Sequence, residues 1–274
     1  MTQASSPAPP PTTRFTPVGR ERHAGRSWRA IIGFSFAATT ALVPLIGAEL
    51  PKAALAMPFG FNQRPDESFV LVGILSLTPG RNLFVAPDGR WVGDYVPASI
   101  RSHPFRLIRR EGTDELVLCV DEQSDLFGEG GAQGLPFFDG QGNLTPDTKA
   151  VLDFLGQIER NRAATETAVS DLAATGLICP WPIKYRAGDQ DQEVAGLHRI
   201  DERAMNALSD DAFLRLRKSS AISIAYAQLL SMGQVQVLER LAALHAKLAP
   251  AVTALPESLD KIFQIQGDEL LRFD

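Results

Sequence analysis

The chain has 274 residues, 45% of them hydrophobic, enough for one large core or two modest domains. Its formal charge of −5 is uneven: five arginines (Arg14, Arg20, Arg22, Arg26, Arg29) face one acid, Glu21, within residues 1–30, a net +4 that leaves −9 on the remainder. An acidic body without a sustained Lys/Arg block speaks against a nucleic-acid footprint, and four scattered histidines with no CxxC give no metal-ligand spacing. Cys119 and Cys179, in the apolar settings LVLCV and GLICPW, read as buried inert thiols ahead of a disulfide or reactive pair.

Residues 1–13, MTQASSPAPPPTT, are Pro/Ser/Thr-rich. The expected organisation is a disordered arm over 1–20 followed by a single domain over 21–274. Residues 30–48, AIIGFSFAATTALVPLIGA, imitate a signal peptide or a membrane span, with Arg26 and Arg29 before them and Ala54-Leu55-Ala56 after. Gly33, Ser35, Thr39, Thr40 and Pro44 dilute that apolarity, and Glu49, Pro51 and Lys52 interrupt the approach to a cleavage site. A folded core segment is therefore expected, without a transmembrane span, in a soluble and cytoplasmic protein. A periplasmic or envelope location is the alternative.

Trp28–Phe36 reads as a strand and residues 47–56 as a short helix with Pro51 in its first turn. Phe69–Leu77 is a nearly continuous apolar run, the pattern of a strand covered on both faces. Asn82–Val85 and Arg90–Val92 flank Pro87-Asp88-Gly89, and Phe105–Arg109 and Glu115–Val120 flank Gly112-Thr113-Asp114, so two hairpins are predicted. Residues 128–143 carry six glycines and read as a loop. Thr145-Pro146 then looks like a cap with Pro at N1, opening a helix over about 146–174.

Pro180 and Pro182 make 177–185 an edge segment, and Glu193–Ile200 a plausible strand. The last third is helical: Asp201–Leu208, a second helix from Ser209 or Asp210 to about Leu230, and a third from Ser231 to Leu248. A small helix is expected at 257–264 and an extended end at Leu270–Phe273. The sum is an α+β fold, an antiparallel or mixed β-rich N-terminal part packed with a helical C-terminal part.

Several chemical signatures fail. Gly33-Phe-Ser35-Phe-Ala37 lacks the final glycine of a nucleophile elbow. The glycines at 128–134 have neither the phosphate-loop lysine nor dinucleotide spacing. Asp139, Gln141 and Asn143 lack the Gly and terminal Glu of a calcium loop. What remains is an Arg/aromatic constellation: Arg81, Asn82, Trp91, Tyr95, Arg101, His103 and Arg106. Arginine beside aromatics binds a carboxylate, a phosphate or a peptide; the competing reading is that Trp91 and Tyr95 pack the sheet while the arginines stay solvated. Glu49, His198 and Asp201 are weak catalytic candidates, with Asp201 equally suited to capping the next helix.

Phe36-Ala37, Val43-Pro44-Leu45, Glu49-Leu50-Pro51-Lys52-Ala53, Asn82-Leu83-Phe84-Val85, Trp91, Tyr95-Val96-Pro97, Ile100-Arg101 and Pro104-Phe105 together resemble the SapC family. The resemblance continues through Phe138-Asp139 with Gly142, Gly196 to Asp201, Ala225-Tyr226-Ala227 and Leu230-Ser231, covering roughly residues 20–240. It implies a bacterial protein. Relatives are often encoded near flavin-dependent tryptophan-halogenase-like proteins, cupin-like proteins and TonB-dependent receptors, which implies a shared uptake or modification system. The family often has Gly after the charged helix segment; here Arg217-Lys218 leads into Ser219-Ser220, which predicts a regular helix in place of a kink.

With no complete catalytic set, the expectation is a noncatalytic binding or accessory protein without a cofactor. Its partner would be a peptide, an acidic small molecule or a neighbouring modification enzyme. The alternatives are an enzyme built on Glu49, His198 and Asp201, and a surface-array or envelope structural protein.

Overall fold

The computed structural model describes residues 15–129, 134–187, 190–194 and 196–248. The head 1–13, Gly130 and Gly131, the tail helix expected at 257–264 and the extended end expected at Leu270–Phe273 lie outside the described residues.

The first described residues, Phe15–Pro17 (β1), are already a strand, so regular structure begins inside the arm expected over 1–20. A single helical turn, Arg20–His23 (α1), leads to Arg26–Trp28 (β2). The strand expected to continue to Phe36 stops there. The Phe34 N–H donates to the Gly89 carbonyl instead of a neighbouring strand, and Ser35–Ala37 winds into a 3-10 turn. The apolar stretch 30–48 is thus divided: Leu42–Pro44 is a strand (β3), Gly47–Glu49 a second 3-10 turn, and Ala37, Val43 and Leu45 are buried in the main core. Leu50–Ala56 (α2) follows with proline at its start, as predicted.

Phe59–Gln63 (β4) and Phe69–Ile74 (β5) pair antiparallel, with Phe61 opposite Leu71 and Phe59 opposite Gly73. The expected hairpin at 82–92 is only a tight turn with one bridge, Val85 to Trp91. After the short turn Ala98–Arg101 (α3), Phe105–Arg109 (β6) and Leu116–Asp121 (β7) form the predicted hairpin. The glycine region is less irregular than predicted: Phe127–Glu129 (β8) and Leu135–Pro136 (β9) pair on either side of β2.

Pro146–Ala174 (α4) begins as its sequence dictates: the Thr145 hydroxyl accepts from the Thr148 N–H and Pro146 occupies the first helical position. Ile178–Pro180 (β10) is an edge strand, Ile183–Ala187 (β11) and Gln190–Val194 (β12) form a separate ribbon, and Leu197–Ile200 (β13) joins the main sheet. The strand predicted over 193–200 is therefore two, turned at Gly196, whose φ is 89°. Helices Glu202–Asn206 (α5), Asp210–Lys218 (α6), Ala221–Ser231 (α7) and Val235–Leu248 (α8) complete the described chain.

The strands fall into a five-stranded sheet in the order β10-β13-β4-β5-β3, two three-stranded sheets (β1-β7-β6 and β8-β2-β9) and the β11-β12 ribbon. Every pairing among the described strands is antiparallel. The main core gathers the five-stranded sheet, α2 and the C-terminal helices; a smaller one centres on Trp28, Phe105, Val120 and Phe137. α4 serves both, burying Leu155 in the smaller core and Ala168, Val169 and Leu172 in the larger. At 29 residues it is about 43 Å long, enough to span them.

α7 also completes the sheet. The Ile200 N–H donates to Gln228 Oε1 (2.9 Å), Gln228 Nε2 donates to the Phe59 carbonyl (3.2 Å), and the Phe59 N–H donates to Ser231 Oγ (3.3 Å). Gln228 and Ser231 are fully buried, so they satisfy strand groups that would otherwise go unpaired in the core. Ala221–Leu248 is long and apolar enough, by length and composition, to cross a membrane; here it packs on the sheet through these polar groups and through Ile224 and Leu238.

The helix predicted from Ser209 to about Leu230 breaks at Ser220, which sits at φ 63°. A kink is therefore present where the sequence predicts a regular helix, with serine in the left-handed region. α6 buries Ala212 and Leu216 and α7 buries Ala221, Ile222 and Ala225, and the change of direction lets both faces reach the core. Left-handed backbone costs a non-glycine residue about 1–2 kcal/mol, partly offset by the larger freedom glycine loses on folding. Ser220→Gly is therefore expected to stabilise the protein by about 0.5–1 kcal/mol in urea unfolding, whereas Ser219→Gly, at φ −87°, should not.

Gln228→Leu, which leaves the Ile200 N–H without its acceptor and the Phe59 carbonyl with Ser231 Oγ alone from α7, is expected to lower stability by about 1–3 kcal/mol in the same measurement.

Candidate functional site

Glu49 closes the 3-10 turn ahead of α2 and is 5% exposed. Its Oε2 accepts from the Ile46 N–H (3.1 Å), and its Oε1 accepts from the Ala98 N–H (2.6 Å) and from the Tyr95 hydroxyl (2.7 Å). A buried carboxylate is tolerated only when hydrogen-bonded. Here donors from two separate segments converge on it, and Arg101 reaches it only through Tyr95. Arg101 Nη2 donates to Tyr95 Oη (3.4 Å), its Nε donates to the Val96 carbonyl (3.0 Å), and its guanidinium lies over the rings of Tyr95 (5.8 Å) and Phe154 (5.1 Å). Burial, and then the hydrogen bond to Glu49, push the Tyr95 phenol up to about 12.

This arrangement forms one wall of a cavity of about 450 Å³ whose lining includes Lys52, Asp94, Tyr95, Arg101, Phe154 and Asn161. Lys52 lies three residues beyond Glu49 on α2, while Phe154 and Asn161, seven residues apart, share a face of α4. On the other side of Glu49 and Ala98 runs a second cavity of about 350 Å³, lined by Leu45, Phe69, Leu71 and Val169. Ion pairs of Arg64 with Glu166 (3.2 Å) and of Arg162 with Glu159 (2.8 Å) and Glu166 (2.7 Å) lie along that second lining.

The seven residues expected to act together over 81–106 are divided among four places. Tyr95 and Arg101 line the first cavity. Asn82 is 2% exposed and holds a turn, its Nδ2 donating to the Ala37 carbonyl (3.0 Å) and its Oδ1 accepting from the Phe84 N–H (2.9 Å). Trp91 stacks on Phe84 (5.4 Å) and meets Phe34 edge-on (5.6 Å), and its Nε1 has no hydrogen-bond partner among the described residues. Packing thus claims Asn82 and Trp91. His103 stacks on Phe36 and Arg106 lies over Phe15 (4.5 Å), both near the β1-β7-β6 sheet, and Arg81 is exposed.

The three catalytic candidates have separate engagements. Asp201 caps α5, accepting from the Ala204 N–H (3.1 Å); the His198 ring meets Phe69 edge-on (4.9 Å); and Glu49 is occupied by its three donors. Asp139 likewise serves its own loop, accepting from the Gln141 and Asn143 N–H groups, which hold its carboxyl below the usual range. Cys119 and Cys179 are both free, the first buried and its thiol pushed up by that burial. Sequence reasoning did not single out Lys52, Phe154 or Asn161 as cavity residues; the spacing on α2 and α4 was the available signal.

An α+β body with a carboxylate-tied cavity between its helices is the class of protein that results. The family model for SapC matches residues 18–238, and the chain belongs to the SapC family. No curated protein matches it, and no solved structure does.

Glu49→Ala is expected to cost about 3 kcal/mol or more, because it leaves buried donors without their acceptor. Tyr95→Phe should cost about 1–2 kcal/mol. The phenol's contribution is present below its unfolded pKa of about 10 and is lost as pH rises through about 12, so the difference between wild type and Tyr95→Phe should shrink in alkaline denaturant titrations.

Proposed function

We infer that the chain is a binding or accessory protein that recognises a carboxylate or phosphate, on a small molecule or a peptide, at the cavity beside Tyr95 and Arg101. The observation that carries this reading is the placement of two cations, Lys52 and Arg101, around an aromatic lining of Tyr95 and Phe154. A guanidinium with one edge held by Val96 and Tyr95 loses less freedom on binding an anion than a free one does. Asn161 adds a neutral donor and acceptor, and Asp94 an acceptor for an ammonium, which suits a free amino acid or the end of a peptide. At this cavity Glu49 supports binding over chemistry, since its oxygens are committed to Ile46, Tyr95 and Ala98. The SapC resemblance adds the setting, a bacterial uptake or modification system in which a neighbouring enzyme presents or receives the ligand.

The test is thermal unfolding of the full chain against free amino acids, dicarboxylates, inorganic phosphate and short acidic peptides. At least one of these is expected to raise the midpoint. Arg101→Ala should weaken that ligand at least about tenfold while remaining folded, and Trp91→Ala should lower the midpoint with or without ligand. If no member of the panel shifts the midpoint, or if the shift survives Arg101→Ala unchanged, the reading loses its basis.

A further inference from the structure

A third cavity is lined in part by the stacked pair Phe36 and His103. Its volume is about 620 Å³, and Arg29, Ile32, Ser35, Phe36, His103 and Ser124 are among its lining residues. One wall is the turn that follows β7. The Ser124 N–H donates to the Asp121 carbonyl (3.1 Å), the Asp121 Oδ1 accepts from the Gln123 N–H (3.1 Å), and the Ser124 Oγ accepts from the Leu126 N–H (3.2 Å). So held, the Ser124 hydroxyl lies 2.8 Å from His103 Nε2.

The imidazole is itself positioned. Its ring stacks on Phe36 with centroids 3.9 Å apart and planes at 15°. Asp121, 1% exposed, lines an adjoining cavity of about 470 Å³ together with His103, and its N–H donates to the carbonyl of Pro104, the next residue along from His103 (2.9 Å). The Ser124 hydroxyl and the His103 imidazole therefore meet at one corner of the β6–β7 hairpin, beside the backbone of Asp121. Arg29 lines the same cavity, anchored by donation from its Nη2 to the Asp125 carbonyl. Ile32, 93% exposed, and Phe36, 37% exposed, form an apolar rim.

We propose that Ser124 and His103 are a nucleophile and general base for acyl transfer, taking a small ester or activated acyl group with an apolar acyl portion. Ser124 Oγ bonds to the carbonyl carbon while its proton passes to His103 Nε2. Negative charge collects on the carbonyl oxygen, for which Arg29 is the available cation. The bond to the leaving group breaks, and His103 returns the proton to the departing alcohol. Water, deprotonated by the same imidazole, then releases the acyl group as a carboxylic acid and restores Ser124. The apolar rim favours an alkyl or aryl acyl chain over a charged one. The site is separate from the Tyr95–Arg101 cavity, and either can fail without the other.

The experiment treats the full folded chain with a fluorophosphonate probe and maps the adduct by mass spectrometry. Phosphonylation at Ser124 is expected, lost on heat denaturation and in Ser124→Ala, and reduced at least about tenfold in His103→Gln. Should His103→Gln fail to fold, carbethoxylation of His103 in the wild-type chain by diethylpyrocarbonate makes the same comparison, and prior carbethoxylation should block the probe. An unmodified Ser124 in the folded wild-type chain overturns the proposal and leaves the Ser124–His103 hydrogen bond as a turn support. So does labelling that is unchanged when His103 is replaced or blocked.

Discussion

The carboxylate of Glu49 is the constraint on which the middle of this protein depends. It is buried, and its oxygens are satisfied only when residues 46–49 and 95–98 lie against each other. That requirement seats the start of α2 on the start of α3 and turns the Tyr95 ring toward α4. It also sets the path of Arg101, which is held at once by Val96, Tyr95 and the face of Phe154. A hydrophobic contact would join the same segments without direction. A carboxylate accepting from three donors specifies their orientation, because leaving any one unpaired in a buried setting is costly.

The two cores are joined by similar means. α4 is long enough to bury one end in each, and α7 supplies Gln228 and Ser231 where the strand ladder has no strand partner to offer. Around these fixed points lie the cavities. The one beside Arg101 carries charge and suits recognition, whereas the one beside Ser124 places a hydroxyl against an imidazole. They occupy opposite ends of the short stretch from Tyr95 to His103, which includes α3.

Local signals in the sequence suffice where one segment decides the outcome. Thr145-Pro146 opens α4, Asp201 and Ser209 cap α5 and α6, and the 105–120 hairpin forms around Gly112. Local signals do not suffice where distant partners compete for the backbone. Trp28–Phe36 leaves its sheet because Gly89 offers Phe34 an acceptor, and Asn82 spends its amide on Ala37 and Phe84, leaving 82–92 a turn. Ser220 adopts a conformation that its residue type disfavours, because the buried faces of α6 and α7 point in different directions. In each case a tertiary contact outweighs a local preference of about 1 kcal/mol.

By itself the sequence determined the class of fold, most helix boundaries and the resemblance to SapC, since these follow from periodicity, capping residues and short motifs that act within a few residues. Only the tertiary structure decided that Glu49 ties residues 46–49 to 95–98, that the Arg/aromatic stretch divides among four places, and that Ser124, marked by no motif, meets His103 across 21 residues. Side chains from distant segments come together through the packing of the whole chain, and that geometry is not written in the spacing of any one segment.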